Sequence, residues 1–375
     1  MSTTTVSVAA GALLSIGAAA SAGIPAYNIV EIGVLAGDSF SQGFRGSSDG
    51  RYATGRSLPP SGSSRAYIFD TTTLTMSALP NLASPVRNFG VGNAVNNSGV
   101  VVGTGATTAF GSSPLPLIWN GGVVSQLPLP AGQTIGRAND VNNNNVAVGS
   151  VNGGSLEAAV VYSGGSAQLI TANGPGGTFM RTAFGVNDAG LVAGNGVDPN
   201  NAARNVGLVY NISSNTMVEV GALPGANGAL AFDISPAGHV AGSSMLNQGS
   251  GLPFVWTSSS GMTAIPLPVG TSQGSARGVN SDGWAVGTAS SAFAIPFLYD
   301  GSQTYRLADL IDPSTGWDLS TNTSSSALSI SDNGVIIGTG VRNGVVKAYA
   351  MIPVPTPGAG ALLGGLGVVA ARRRR

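Results

Sequence analysis

One twelve-residue pattern recurs seven times along this chain, and it limits the possible folds more than any other feature. The pattern is small-x-x-apolar-Asn/Ser-x-x-Gly-x-x-x-Gly. Six copies read GNAVNNSGVVVG (92–103), ANDVNNNNVAVG (138–149), AFGVNDAGLVAG (183–194), AFDISPAGHVAG (231–242), ARGVNSDGWAVG (276–287) and ALSISDNGVIIG (327–338). The first copy, GFRGSSDGRYATG (43–55), is degenerate and one residue longer. Each position has a physical reason. The apolar residue ends a strand, and Asn or Ser opens a tight turn by bonding its own backbone. The next Gly supplies the left-handed conformation that closes a short hairpin, and Asn145, which replaces it once, tolerates that conformation best among the other residues.

A third strand follows each hairpin and usually ends in an aromatic residue: Phe69, Trp119, Tyr162, Tyr210, Trp256 and Tyr299. Their fixed place at a strand end points to packing between units more than to sugar platforms. Short turns then lead to a fourth strand. Four strands in about 47 residues is the length of a propeller blade. Seven hairpins have only six fourth strands after them. The missing one stands in front of the first hairpin, at Ile29 to Leu35. The expected fold is therefore all-β: a seven-bladed β-propeller of four-stranded blades over residues 26–353, its last blade closed by the N-terminal strand. A split of the repeats into two domains is the structural alternative. Composition agrees with many short strands and tight turns, with 57 Gly, 21 Pro and 43% hydrophobic residues.

The two ends read as addresses. Residues 6–20 are apolar and uncharged, and Ala20-Ser21-Ala22 has the small-x-small form of a cleavage site, so residues 1–22 are expected to be a signal peptide cut after Ala20 and Ala22 have been recognised. Its first residues carry no Lys or Arg. Residues 354–375 hold Pro355 and Pro357, a short apolar stretch over 358–371, and Arg372, Arg373, Arg374 and Arg375. The apolar stretch can enter a bilayer while the arginines hold its end on the cytoplasmic side. This three-part tail resembles the PEP-CTERM sorting signal of bacterial exported proteins, with Thr356 where that family has glutamate. The resemblance implies an exosortase-type partner, a transient membrane segment at the C-terminus, and a final place outside the cell, on its surface or in its matrix. The repeats in turn resemble the bacterial extracellular HAF repeat over about residues 26–353, through the Val-Asn-x-x-Gly-x-x-x-Gly hairpin and the strand after it. That resemblance implies an architecture and says almost nothing about activity.

Charge narrows the partners. Four of the 16 basic residues are the terminal arginines, which leaves 12 against 16 acidic residues, with Lys347 the single lysine. A mildly acidic body argues against nucleic acid. The absence of cysteine removes thiolate metal sites and thiol nucleophiles. His239 is the one histidine, so neither a zinc site nor a Cys–His dyad is expected, and no cofactor is. Asp140 and Asp233 share one repeat position, and a carboxylate pair could serve glycoside chemistry. Five arginines, Arg45, Arg87, Arg137, Arg181 and Arg277, are expected near one mouth of a central channel, where they could grip an acidic exopolysaccharide. Two functions follow. The first is an exported, non-enzymatic binding or matrix protein. The second is a secreted propeller hydrolase or lyase that uses Asp140 and Asp233 on polysaccharide.

Overall fold

The protein, here a computed structural model, is described over residues 24–107, 112–154, 157–246 and 250–354. The signal-peptide segment and the sorting motif with its arginines lie outside the described residues. Seven antiparallel sheets follow one another along the chain. Blade 1 shows the plan, with strands Phe40–Gly46, Tyr52–Leu58, Arg65–Asp70 and Thr75–Ala78 paired in sequence order. Blades 2 to 6 repeat it.

The first strand of each blade is the innermost. These strands are Phe40–Gly46, Phe89–Val95, Ile135–Val141, Phe179–Val186, Gly228–Ile234, Gln273–Val279 and Ser326–Ile330. Each touches the next, and the seventh touches the first, so the ring is closed. Closure uses the N-terminal strand Tyr27–Glu31, which pairs antiparallel with Val345–Pro353 as the outer strand of blade 7. Glu31 seals the join by ion pairs to Arg342 (2.8 Å) and Lys347 (3.8 Å). The propeller expected from the repeats is thus the observed fold. Its apolar core is divided into layers between neighbouring blades. One such layer sets Ala66, Leu79 and Leu82 of blade 1 against Val95, Leu117 and Trp119 of blade 2. The aromatic residues that end the third strands are all buried.

The hairpin motif explains itself in three dimensions. Gly50, Gly99, Gly190, Gly238, Gly283 and Gly334 have φ between +76° and +86°, and Asn145 takes the same region at +58°. Every inner strand carries a β-bulge at the same place, between the small residue and the residue two further on. The last Gly of the motif faces that bulge. A Cβ there would strike the carbonyl of the residue before the small one, in all seven blades.

The motif Asn does two jobs. Asn142 Oδ1 accepts from its own turn, from Asn144 N and Val146 N, at 3.0 and 2.9 Å. Its Nδ2 donates to Asn187 O of the next blade at 2.9 Å. Asn96 donates likewise to Asn142 O, Asn187 to Ser235 O and Asn280 to Ser331 O. Ser47, Ser235 and Ser331 replace Asn in blades 1, 5 and 7 and keep only the bond to their own turn. A second set of bonds runs beside the first, in which Asn97, Asn143, Asp188 and Asp332 accept backbone N–H groups of the preceding blade. Replacing Asn142 by Ala should cost about 3 kcal/mol, because it breaks one buried and two part-buried bonds and strands the buried Asn187 carbonyl. Asn142→Ser should cost about half as much, since it keeps the turn bond as Ser235 does. Urea unfolding of the two variants checks this, and equal losses would contradict it.

Candidate functional site

The bulge sets the chemistry of the channel. It lets two consecutive residues of each inner strand face inward. The first forms one layer: Phe44, Asn93, Asn139, Phe184, Phe232, Arg277 and Leu328. These residues, with Arg45, line a chamber of about 250 Å³. The second residue forms the next layer: Arg45, Ala94, Asp140, Gly185, Asp233, Gly278 and Ser329. On its other side lies a smaller cavity of about 70 Å³, bounded by the hairpin turns. Among the described residues, Arg45 is the one that lines both spaces.

Arg45 reaches from blade 1 across the channel. Its Nη1 lies 2.5 Å from Asp233 Oδ1 and 3.2 Å from Asp140 Oδ2. Its Nη2 donates to Phe232 O at 3.3 Å. The carboxylates are also bound to the ring. Asp140 Oδ2 accepts Val186 N of blade 4 at 2.8 Å, and Asp233 Oδ2 accepts Val279 N of blade 6 at 3.0 Å. Ser329 repeats the arrangement by accepting Gly46 N of blade 1 at 3.2 Å. The cluster therefore braces five blades and closes the channel between the two spaces.

One guanidinium serves two buried carboxylates. Burial raises the pKa of Asp140, Arg45 draws it back, and Asp233 pushes it up again, with the result held at about 6. Burial works against the charge on Arg45, yet the two carboxylates outweigh it and hold its pKa above the ordinary value.

The chamber beyond this floor is lined by binding groups. Phe44, Phe184 and Phe232 are half-buried, and Phe184 meets Phe232 edge to face at 5.9 Å. The Arg277 guanidinium stacks over the Phe232 ring, 3.9 Å from its centre, and its Nε donates to Ser275 Oγ. Unlike Arg45, it has no carboxylate partner among the described residues. Asn93 and Asn139 spend their amide N–H groups on carbonyls of the next blade, Ala138 O and Ala183 O. Their amide oxygens remain as acceptors.

Of the five arginines expected at one mouth, the structure brings Arg45 and Arg277 together. Four of the five lie in the inner strands themselves. Arg87 stands in the loop leading into blade 2, where it donates to Val86 O. Arg87, Arg137 and Arg181 do not line the chamber. Asp140 and Asp233 do converge, with Arg45 between them. His239 sits in its hairpin, its backbone N–H on Ser235 Oγ and its ring 3.5 Å from the same oxygen. Among the described residues no three His, Asp or Glu side chains gather as a metal ion requires. Sequence reasoning missed the Arg45 cluster and the phenyl layer. The signal was present in the repeat itself: Arg45 occupies the same repeat position as Asp140 and Asp233.

No family model matches the chain, and no curated protein does. Solved structures do resemble it. YCF48 bound to a D1 peptide is 13% identical, with a TM-score of 0.50, over 90% of this chain and 99% of that one. An oligogalacturonate lyase from Vibrio parahaemolyticus is 13% identical, with a TM-score of 0.50, over 88% and 98%. Puromycin hydrolase is 11% identical, with a TM-score of 0.52, over 82% and 50%. The chain spans 63% of the length of TolB from Acinetobacter baumannii. At such identities these likenesses show the propeller fold and nothing more.

The Asp140 environment has a consequence for stability. Its native pKa of about 6 lies above its ordinary value of 3.8. Between those values the native state holds a proton that the unfolded chain has lost. This contribution is complete below the ordinary pKa and disappears as pH rises through about 6. The melting temperature should therefore rise on acidification from pH 7 to pH 5, and Asp140→Asn should flatten that rise. A variant with an unchanged pH profile would contradict the assignment.

Proposed function

We propose that this is an exported, non-enzymatic binding or matrix protein that holds acidic extracellular polysaccharide at one mouth of its propeller. Export rests on the signal-like N-terminus and on the PEP-CTERM-like tail, which an exosortase-type enzyme would process. The HAF-repeat resemblance favours the cell surface or matrix as the destination.

The observation that carries the binding reading is the pairing of Arg45 with both channel carboxylates. Asp140 and Asp233 each hold a backbone N–H of the next blade and share one guanidinium nitrogen. Acids engaged in this way are not free to attack a sugar. The group left over is Arg277, stacked on Phe232 at the edge of an aromatic chamber. A guanidinium can take a carboxylate through two parallel hydrogen bonds, and the phenyl groups can pack on the apolar face of a sugar.

One observation favours the second reading, a secreted hydrolase or lyase. A buried carboxyl held at about 6 beside another carboxylate is what an acid catalyst needs. The two readings part in one experiment. On the binding reading, the protein retains an acidic polysaccharide without cleaving it, and Arg277→Ala weakens retention about tenfold or more. The double variant Arg137→Ala/Arg181→Ala leaves retention near that of the parent. Cleavage that is lost in Asp140→Asn would replace the binding reading with the enzymatic one.

A further inference from the structure

The chamber under Arg277 has a lateral extension. A groove of about 250 Å³ runs outward between blades 5 and 6 and shares Phe232 and Arg277 with the chamber. Its polar lining includes Ser243, Gln273, Ser275, Thr288 and Ser290. Ser243 Oγ is occupied by Gly274 O. Thr288 Oγ1 is buried without any hydrogen-bond partner. It is one of eight buried side-chain atoms without a partner among the described residues, and the one whose residue lines this groove.

We propose that this bent site takes the end of a carboxylated glycan, not its interior. The inference rests on the binding reading above and deepens it. The terminal unit sits in the chamber, with its carboxylate on Arg277 and its apolar face against Phe44 and Phe184. The next unit lies in the groove, where rotation of the Thr288 side chain brings Oγ1 to a sugar hydroxyl. Two features stop a chain from running through. The Arg45 cluster closes the floor, and with two carboxylates to one guanidinium that floor repels a second acid group. The chamber is also small, below the usual range of about 300–1,000 Å³ for sites that enclose a drug-sized ligand. The groove favours a glycan over a peptide end, because side-chain hydroxyls and the Gln273 amide outnumber the two glycines, Gly251 and Gly274, that can offer only backbone groups. A peptide is more often held along its main chain by a row of backbone groups.

The test measures affinity of the full chain for β-linked glucuronic acid as monomer, trimer and long polymer. End-on capture predicts one Kd per chain from trimer to polymer. It also predicts that Thr288→Val weakens the trimer about fivefold and leaves the monomer unchanged. A Kd per chain that falls in proportion to chain length would overturn the proposal while leaving the binding reading intact. So would a Thr288→Val variant that holds the trimer as tightly as the parent. Tighter capture of a tripeptide by its C-terminal carboxylate would overturn the choice of a glycan. Absence of binding to every form would overturn this inference and the binding reading together.

Discussion

The structure depends on a side chain that bonds backwards and forwards at once. The motif asparagine closes its own turn with its oxygen and reaches the next blade with its nitrogen. A hairpin that satisfies itself can be built anywhere. A hairpin that needs the next hairpin's carbonyl can be satisfied only in a row of them, and a closed ring satisfies most of the row. The four asparagine links run from blade 2 to blade 5 and from blade 6 to blade 7. Where serine interrupts them, other contacts take over. Asp332 N donates to Ser48 O between blades 7 and 1, and Asp49 N donates to Asn97 Oδ1 between blades 1 and 2. The outer rim is joined differently, by the N-terminal strand and the ion pairs of Glu31.

The same geometry divides the polar groups of the channel into two kinds. The bulge in each inner strand turns two adjacent residues inward, which doubles the number of chemical positions each blade supplies. One layer is spent on the ring: Arg45, Asp140, Asp233 and Ser329 bind one another or the next blade's backbone. The neighbouring layer faces the lumen with three phenyl groups, Arg277 and the oxygens of two amides whose N–H groups bind the next blade. Gly185 and Gly278 keep the braced layer thin at blades 4 and 6. A Cβ on Gly185 would crowd Asp233, and one on Gly278 would strike the backbone of Ser329. The two small residues thus let the acids and the serine sit where the braces require them.

Much of this was legible in the sequence, because it follows from local rules. Turn chemistry identified the hairpins, including Asn145 as a stand-in for glycine. Counting strands placed Ile29 and its neighbours in the last blade. The site was harder to read for a physical reason. Asp140 and Asp233 belong to blades 3 and 5, and Arg45 comes from the degenerate first copy, so no sequence neighbourhood joins them. They meet only because a ring projects one repeat position onto one plane. Compared along the chain, that position holds Arg, Ala, Asp, Gly, Asp, Gly and Ser and resembles drift. Compared around a channel, it is one cation facing two anions. Arg277 was legible as a channel arginine, but its layer was not: it stands one repeat position before Arg45, and the bulge turns that position inward as well.

The division between a braced layer and a binding layer can be seen in a crystal structure of the protein with a glucuronic acid trimer. The sugar carboxylate is expected on Arg277, the sugar ring against the phenyl groups, and Arg45 still held between Asp140 and Asp233. A carboxylate bound to Arg45, with either aspartate displaced toward the sugar, would contradict it.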